Sequence, residues 1–262
     1  MATTFTKEDC SDIMAPMLKA ALPLSGVQSR MPRDLLHGPV KPQGMSLPAA
    51  HATQLIQHLQ AILRHGTRPT LVGGPLRCVM DELVLLLGSA KPFWELVYDD
   101  WKCLCPEDDW LVSTWRDLQS TELEIKGPLN LIKPQRLNDV HLMDAFMAQD
   151  YSDDKIQTLN ACRLFLKVTT LSDIVTAEGK RIVQAAVSGR PLDRTTQYNC
   201  PRSRRPPASA WQTWSDCLQE TFGHKLRTPL GIWLLHEDPS WNWWYSAWDN
   251  RLYHREGQSW VY

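Results

Sequence analysis

Apolar positions recur at helical spacing over much of the chain up to Phe222 and then change character. In 49–65, Leu55, Ile56, Leu59, Ile62 and Leu63 line one side of a predicted helix, which the following "GTRP" closes. Leu76, Val79, Met80, Leu83 and Leu87 give a second helix over 75–87 a broad apolar face, and Gly88 stops it. Pro106 and three acids precede Trp110, Leu111 and Trp115, the arrangement of a third helix start. Further helices are predicted over 138–148, 152–168 and 211–222, with Ser152 as a natural N-cap, and a short one over 12–21. From 22 to 48 the density of Pro and Gly predicts an ordered but irregular connector. After Trp241 the run "WNWWYSAWDNRLYHREGQSWVY" is aromatic and β-prone, with turn residues at Asp249-Asn250 and Glu256-Gly257. The expected fold is therefore mainly α: a bundle-like helical domain followed by a small C-terminal antiparallel β-meander. Its segments are an irregular connector over 1–48, a helical domain over 49–190, and a basic loop, Trp-rich helix and meander over 191–262.

Composition narrows the classes. With 262 residues, 43% hydrophobic and 22% charged, the chain can bury a substantial core. The net charge of -1 leaves no overall grip on polyanions, so any nucleic-acid site must be regional. Seven cysteines, an odd number, read as reduced thiols, and neither a signal sequence nor a membrane-length apolar run is seen. An intracellular protein, cytoplasmic or nuclear, with no membrane role is expected; its oligomeric state is not legible.

Tyr98-Asp99-Asp100 is the first candidate for chemistry, because template-directed polymerases hold two magnesium ions with aspartates. Reverse transcriptases place a residue between the tyrosine and the aspartates, and here it is missing. Adjacent acids recur at Asp108-Asp109 and Asp153-Asp154 ahead of predicted helices, where carboxylates cap free N–H groups. The helix-start reading is preferred for all three pairs, and no catalytic residue is assigned. His51, His58 and His65 repeat every seven residues, about 10 Å apart on a helix, too far to share a metal, so a helix-border role is preferred. Cys103 and Cys105 lack a second pair at zinc spacing, and Cys162 and Cys217 read as buried thiols. Neither a nucleophile elbow nor a phosphate-binding Gly-Lys-Ser/Thr loop occurs. No cofactor or metal is expected.

Charge is more informative than any short motif. Lys180, Arg181, Arg190, Arg194, Arg202, Arg204 and Arg205 face a single acid, Asp193, between 180 and 205. Tyr198 lies within this run and Trp211 just beyond it, a mixture suited to single-stranded or irregular RNA. The plainer alternative is a solvated loop. For the C-terminal tryptophans the choice is between a stacking groove and the small core of a meander, and the core is preferred.

Three stretches carry a wider resemblance. The first is "LPLSGVQSRMPRDLLHGPVKPQGMSLPAAHATQLIQHLQAILRHG" and the second "LNDVHLMDAFMAQDYSDDKIQTLNACRLFLKVTTLSDIVTAEGKRI". The third joins "CPRSRRPPASAWQTWSDCL" to "LRTPLGIWLLHEDPSWNWWYSAWDNRLYHREGQSWVY". Together they resemble the region downstream of the polymerase core in eukaryotic retroelement reverse-transcriptase proteins, most specifically over 160–174 and 211–262. Cys200, where that pattern would have tryptophan, and Met45-Ser46 depart from it. The resemblance implies a fragment lacking the catalytic core: not an enzyme, but a thumb-like, RNA-binding extension. Its implied partners are RNA or an RNA/DNA hybrid and a polymerase core in the parent protein. The alternative is a stand-alone protein-interaction module with no nucleic-acid role.

Overall fold

The computed structural model describes residues 4–28, 30–66, 68, 70–106, 108–121, 123–126, 129–192, 200–201 and 203–234, and the backbone of 243–246, 251–256 and 259–261. The chain divides into two compact units, one formed by 1–77 with 106–128 and the other by 78–105 with 129–262.

In the first unit, α1 (Lys7–Leu24) starts earlier than its apolar pattern suggests. Thr6 and Asp9 form a capping box there, satisfying two N–H groups that the first turn would otherwise leave unpaired. The following connector is ordered by α2 (Arg33–His37), whose Leu36 joins Leu18 and Leu22 of α1 in a small core with Met14, Val27, Met31, Met45 and Leu47. The third helix, α3 (Ala50–His65), buries Leu55 and Ile62 but leaves Ile56 and Leu63 exposed, so its predicted apolar face is only half covered.

Two of the three α3 histidines serve packing. His51 Nε2 lies 3.0 Å from Asp117 of α6 (Trp110–Gln119), and His58 Nδ1 lies 2.9 Å from Thr114 Oγ1. Burial holds the His58 imidazole below its ordinary value of 6.5, with Asp117 opposing. A depressed folded value means that this histidine's contribution is intact above about 6.5 and is lost as pH falls below it. Acidification through that window should therefore lower thermal stability, with a shallower slope in His58→Gln. Equal slopes in thermal melts of the two proteins would show that His58 is not responsible.

Some elements of the second unit bear out the pattern. Helix α4 (Gly73–Leu87), which belongs to this unit from Cys78 on, buries Met80, Leu83 and Leu87 and ends at Gly88 as predicted. The acidic pair Asp99-Asp100 lies in the first turn of a single-turn helix, α5 (Tyr98–Trp101), with Asp99 ion-paired at 2.8 Å to Lys102. The helix predicted over 138–148 shortens to α7 (Leu142–Met147). Asn138 is left-handed at φ 66 in a turn and the Asp139 carboxylate accepts from Gln135 N and Ser172 N, so the chain is not helical until Leu142. Beyond it lie α8 (Asp153–Leu166), α9 (Gln184–Val187) and α10 (Ala208–Thr221). Helix α10 packs on α7, α8 and α9, and the fully buried Trp214 is at the centre of this packing.

Arg163 on α8 is wholly buried and has no carboxylate among its described hydrogen-bond partners. Its guanidinium donates to the α4 carbonyls of Leu85 (2.6 Å) and Leu86 (2.9 Å), to Val168 O and to Asn160 Oδ1. These α4 carbonyls lie in its last turn, where no further N–H is available from the helix itself. Gly88, at φ 64, is needed twice over: a Cβ there would also come 2.7 Å from the guanidinium carbon. Burial lowers the Arg163 pKa to about 10, which leaves it charged at neutral pH.

The expected C-terminal β-meander requires a correction, and the fold is mainly helical. From 4 to 234 no β-strand occurs among the described residues, where extended segments meet only as isolated bridges. Farther on, the backbones of β1 (Trp243–Ser246), β2 (Arg251–Glu256) and β3 (Ser259–Val261) pair antiparallel, Trp243 opposite His254 and Arg255 opposite Trp260. Of their side chains only Arg251, exposed, and Tyr253, half-buried, are described, so no meander core is established among the described residues. The predicted turn residues Asp249, Asn250 and Gly257 lie outside the described residues.

Candidate nucleic-acid interface

The basic residues singled out from sequence are placed by two local devices. Lys180 and Arg181 follow Gly179 in an extended segment that meets 224–226 antiparallel. Leu226 N donates to Lys180 O at 2.9 Å and Ile182 N to His224 O at 3.3 Å. These bonds flank Arg181 and Lys225, which therefore form a directly opposed, non-hydrogen-bonded pair, the closer of the two antiparallel pair types. Leu226 is buried and anchors the ladder, whereas Lys180, Arg181, His224 and Lys225 are exposed.

Arg190 is held at the surface by a helix end. At the close of α9, Arg190 N bonds Ala185 O and Gly189 N bonds Ala186 O, a Schellman motif with Gly189 left-handed at φ 66. A Cβ on Gly189 would reach 2.4 Å from the Trp211 ring. Trp211 is therefore inside the fold, only 9% exposed and edge-on to Phe165, and it does not present a face on which a base could stack. Arg204 and Arg205 are exposed just before α10, next to the buried Pro206. Arg194, Tyr198 and Arg202 lie outside the described residues.

No described carboxylate forms an ion pair with Lys180, Arg181, Arg190, Arg204, Arg205 or Lys225. Arg227, by contrast, is engaged with the C-terminal end of α10, donating to Glu220 O at 3.3 Å. Lys225 was missed from sequence because its relation to Arg181 is a long-range backbone pairing with no local signature. Cys162 and Cys217 are buried thiols, as read from sequence, and burial pushes Cys162 up to about 12. Among the described residues no three His, Cys, Asp or Glu side chains are grouped to hold a metal, and no helix is long and apolar enough to cross a membrane. Compared with known proteins, the chain matches no family model, no curated protein and no solved structure.

Proposed function

We propose that this chain is a non-catalytic, RNA-binding extension of a reverse-transcriptase-type retroelement protein, acting beside a polymerase core in the manner of a thumb. The observation that carries the proposal is the set of exposed bases at Lys180, Arg181, Arg190, Arg204 and Arg205, none ion-paired to a described acid. Bases held in this state have no protein ion pair to give up on meeting phosphate, and their positive field attracts a polyanion despite the near-neutral total charge. The helical turn at Tyr98-Asp99-Asp100 supports the non-catalytic part, since a polymerase holds its aspartates at strand ends to meet two metal ions.

RNA retention on the full chain tests the proposal. Wild-type protein should bind single-stranded RNA at low salt, and log affinity should fall linearly with log salt. Arg202, Arg204 and Arg205 replaced together by alanine should flatten that slope by about 0.7 for each phosphate no longer neutralised. Failure of the wild type to bind at low salt would remove the proposal. The stand-alone interaction module would then lead, and it has support of its own in the exposed Ile13 and Met17 of α1 and Ile56 and Leu63 of α3.

A further inference from the structure

Two like charges directly opposite each other across an antiparallel pair repel and destabilise that pair. Arg181 and Lys225 occupy such a position, both exposed, and no described acid is ion-paired to either. The backbone bonds on either side fix the two residues opposite one another, so their side chains leave the ladder on the same face. The buried Leu226, next to Lys225, anchors this side of the pair. Neighbouring groups do not neutralise it. Glu178 is exposed and forms no ion pair with either base, and Arg227, a further cation, donates to the end of α10.

We infer that Arg181 and Lys225 form a two-cation contact for the sugar–phosphate backbone of RNA, an inference that rests on the RNA-binding proposal above and assigns Lys225 to it. A phosphate between two such bases relieves their repulsion and receives charge-assisted hydrogen bonds from both. Arginine can present a planar fork and lysine a point charge, so the contact reads backbone charge rather than base sequence.

Charge reversal separates this role from a structural one, because stability and binding should move in opposite directions. In Lys225→Glu the opposed pair becomes attractive, so the thermal midpoint of the full chain should hold or rise. Its affinity for a fluorescein-labelled oligouridylate at low salt, followed by anisotropy, should fall about tenfold, with the salt slope reduced by about 0.7. Arg181→Ala with Lys225→Ala removes both contacts to the phosphate they share and should also reduce the slope by about 0.7. If the wild type binds and the Arg202, Arg204 and Arg205 triple variant is impaired while Lys225→Glu binds normally, the inference fails and the broader RNA-binding proposal stands. A Lys225→Glu protein that loses binding and thermal stability together would make the pair structural and overturn the inference. Absence of wild-type binding overturns both.

Discussion

Arg163→Ala should cost about 4 kcal/mol or more of the second unit's stability, the sum of a cavity and stranded acceptors. The guanidinium donates to Leu85 O, Leu86 O and Val168 O from inside the fold, and because Asn160 Nδ2 also reaches Leu86 O, Leu85 O and Val168 O are the acceptors stranded by its loss. Each buried carbonyl left without a donor costs about 1–3 kcal/mol, so this part alone can exceed the cavity. Arg163→Met refills most of the stem volume but leaves Leu85 O and Val168 O unpaired, and should recover only about 1 kcal/mol. Arg163→Lys keeps a charge and donors yet lacks the fork that spans α4 and the α8 end, so it should fall between the wild type and methionine. Urea unfolding followed by tryptophan fluorescence would measure the series. A loss below about 1 kcal/mol for Arg163→Ala would mean that the α4 end finds other partners.

The same residue gives the most specific part of the retroelement resemblance, "NACRLFLKVTTLSDI", a physical meaning. Asn160 and Arg163 brace the end of α4, and Asp173 accepts from Thr169 N, Thr170 N and Gln135 Nε2. Lys167, left-handed at φ 55, turns the chain between these two arrangements. Asn160, Arg163 and Asp173 are all tied to the fold, so this part of the motif specifies architecture.

Local signals were legible where one turn of chain contains both partners. Asp109 caps α6 by accepting from Leu111 N and Val112 N, as the acids ahead of Trp110 suggested. Gly88 ends α4 as expected, although its second duty toward Arg163 depends on a residue distant in sequence. The Thr6 and Asp9 capping box was present but unused, which placed the start of α1 too late. Periodicity overstated the covered face of α3, because spacing records which residues share a side and not what packs against it. It failed over 138–141 for another reason: Asn138 is left-handed, and the buried carboxylate of Asp139 is tied to Gln135 N and Ser172 N, outside the predicted helix. At the candidate site, exposure of Lys180, Arg181, Arg190, Arg204 and Arg205 followed from a run rich in charge and proline. The burial of Trp211 and the pairing of Arg181 with Lys225 did not, since both arise from tertiary packing.

Trp214→Ala should be comparable in severity to loss of Arg163, at about 4 kcal/mol, but for a different reason. Trp214 lies on α10 with no exposed surface, and its ring meets Phe146 of α7 edge-on at 5.7 Å. Its indole N–H donates to Ala186 O at 3.1 Å, so one side chain joins α10 to both α7 and α9. Alanine would remove the ring volume and one of the donors to Ala186 O, which keeps the Gly189 N–H, so the cavity accounts for most of the cost. Trp214→Phe separates the two contributions: a smaller ring remains against Phe146, while the donor is gone. Its expected loss is about 2 kcal/mol, and the difference from alanine measures the ring packing. Because Ala185 and Ala186 accept the two bonds that close α9, loosening this helix should also disturb the placement of Arg190. Amide exchange should therefore accelerate at Gly189 and Arg190 in both variants, with alanine the faster. Unchanged protection at these two amides alongside a large global loss would show that Trp214 supports the α7–α8–α10 core without steadying the basic surface.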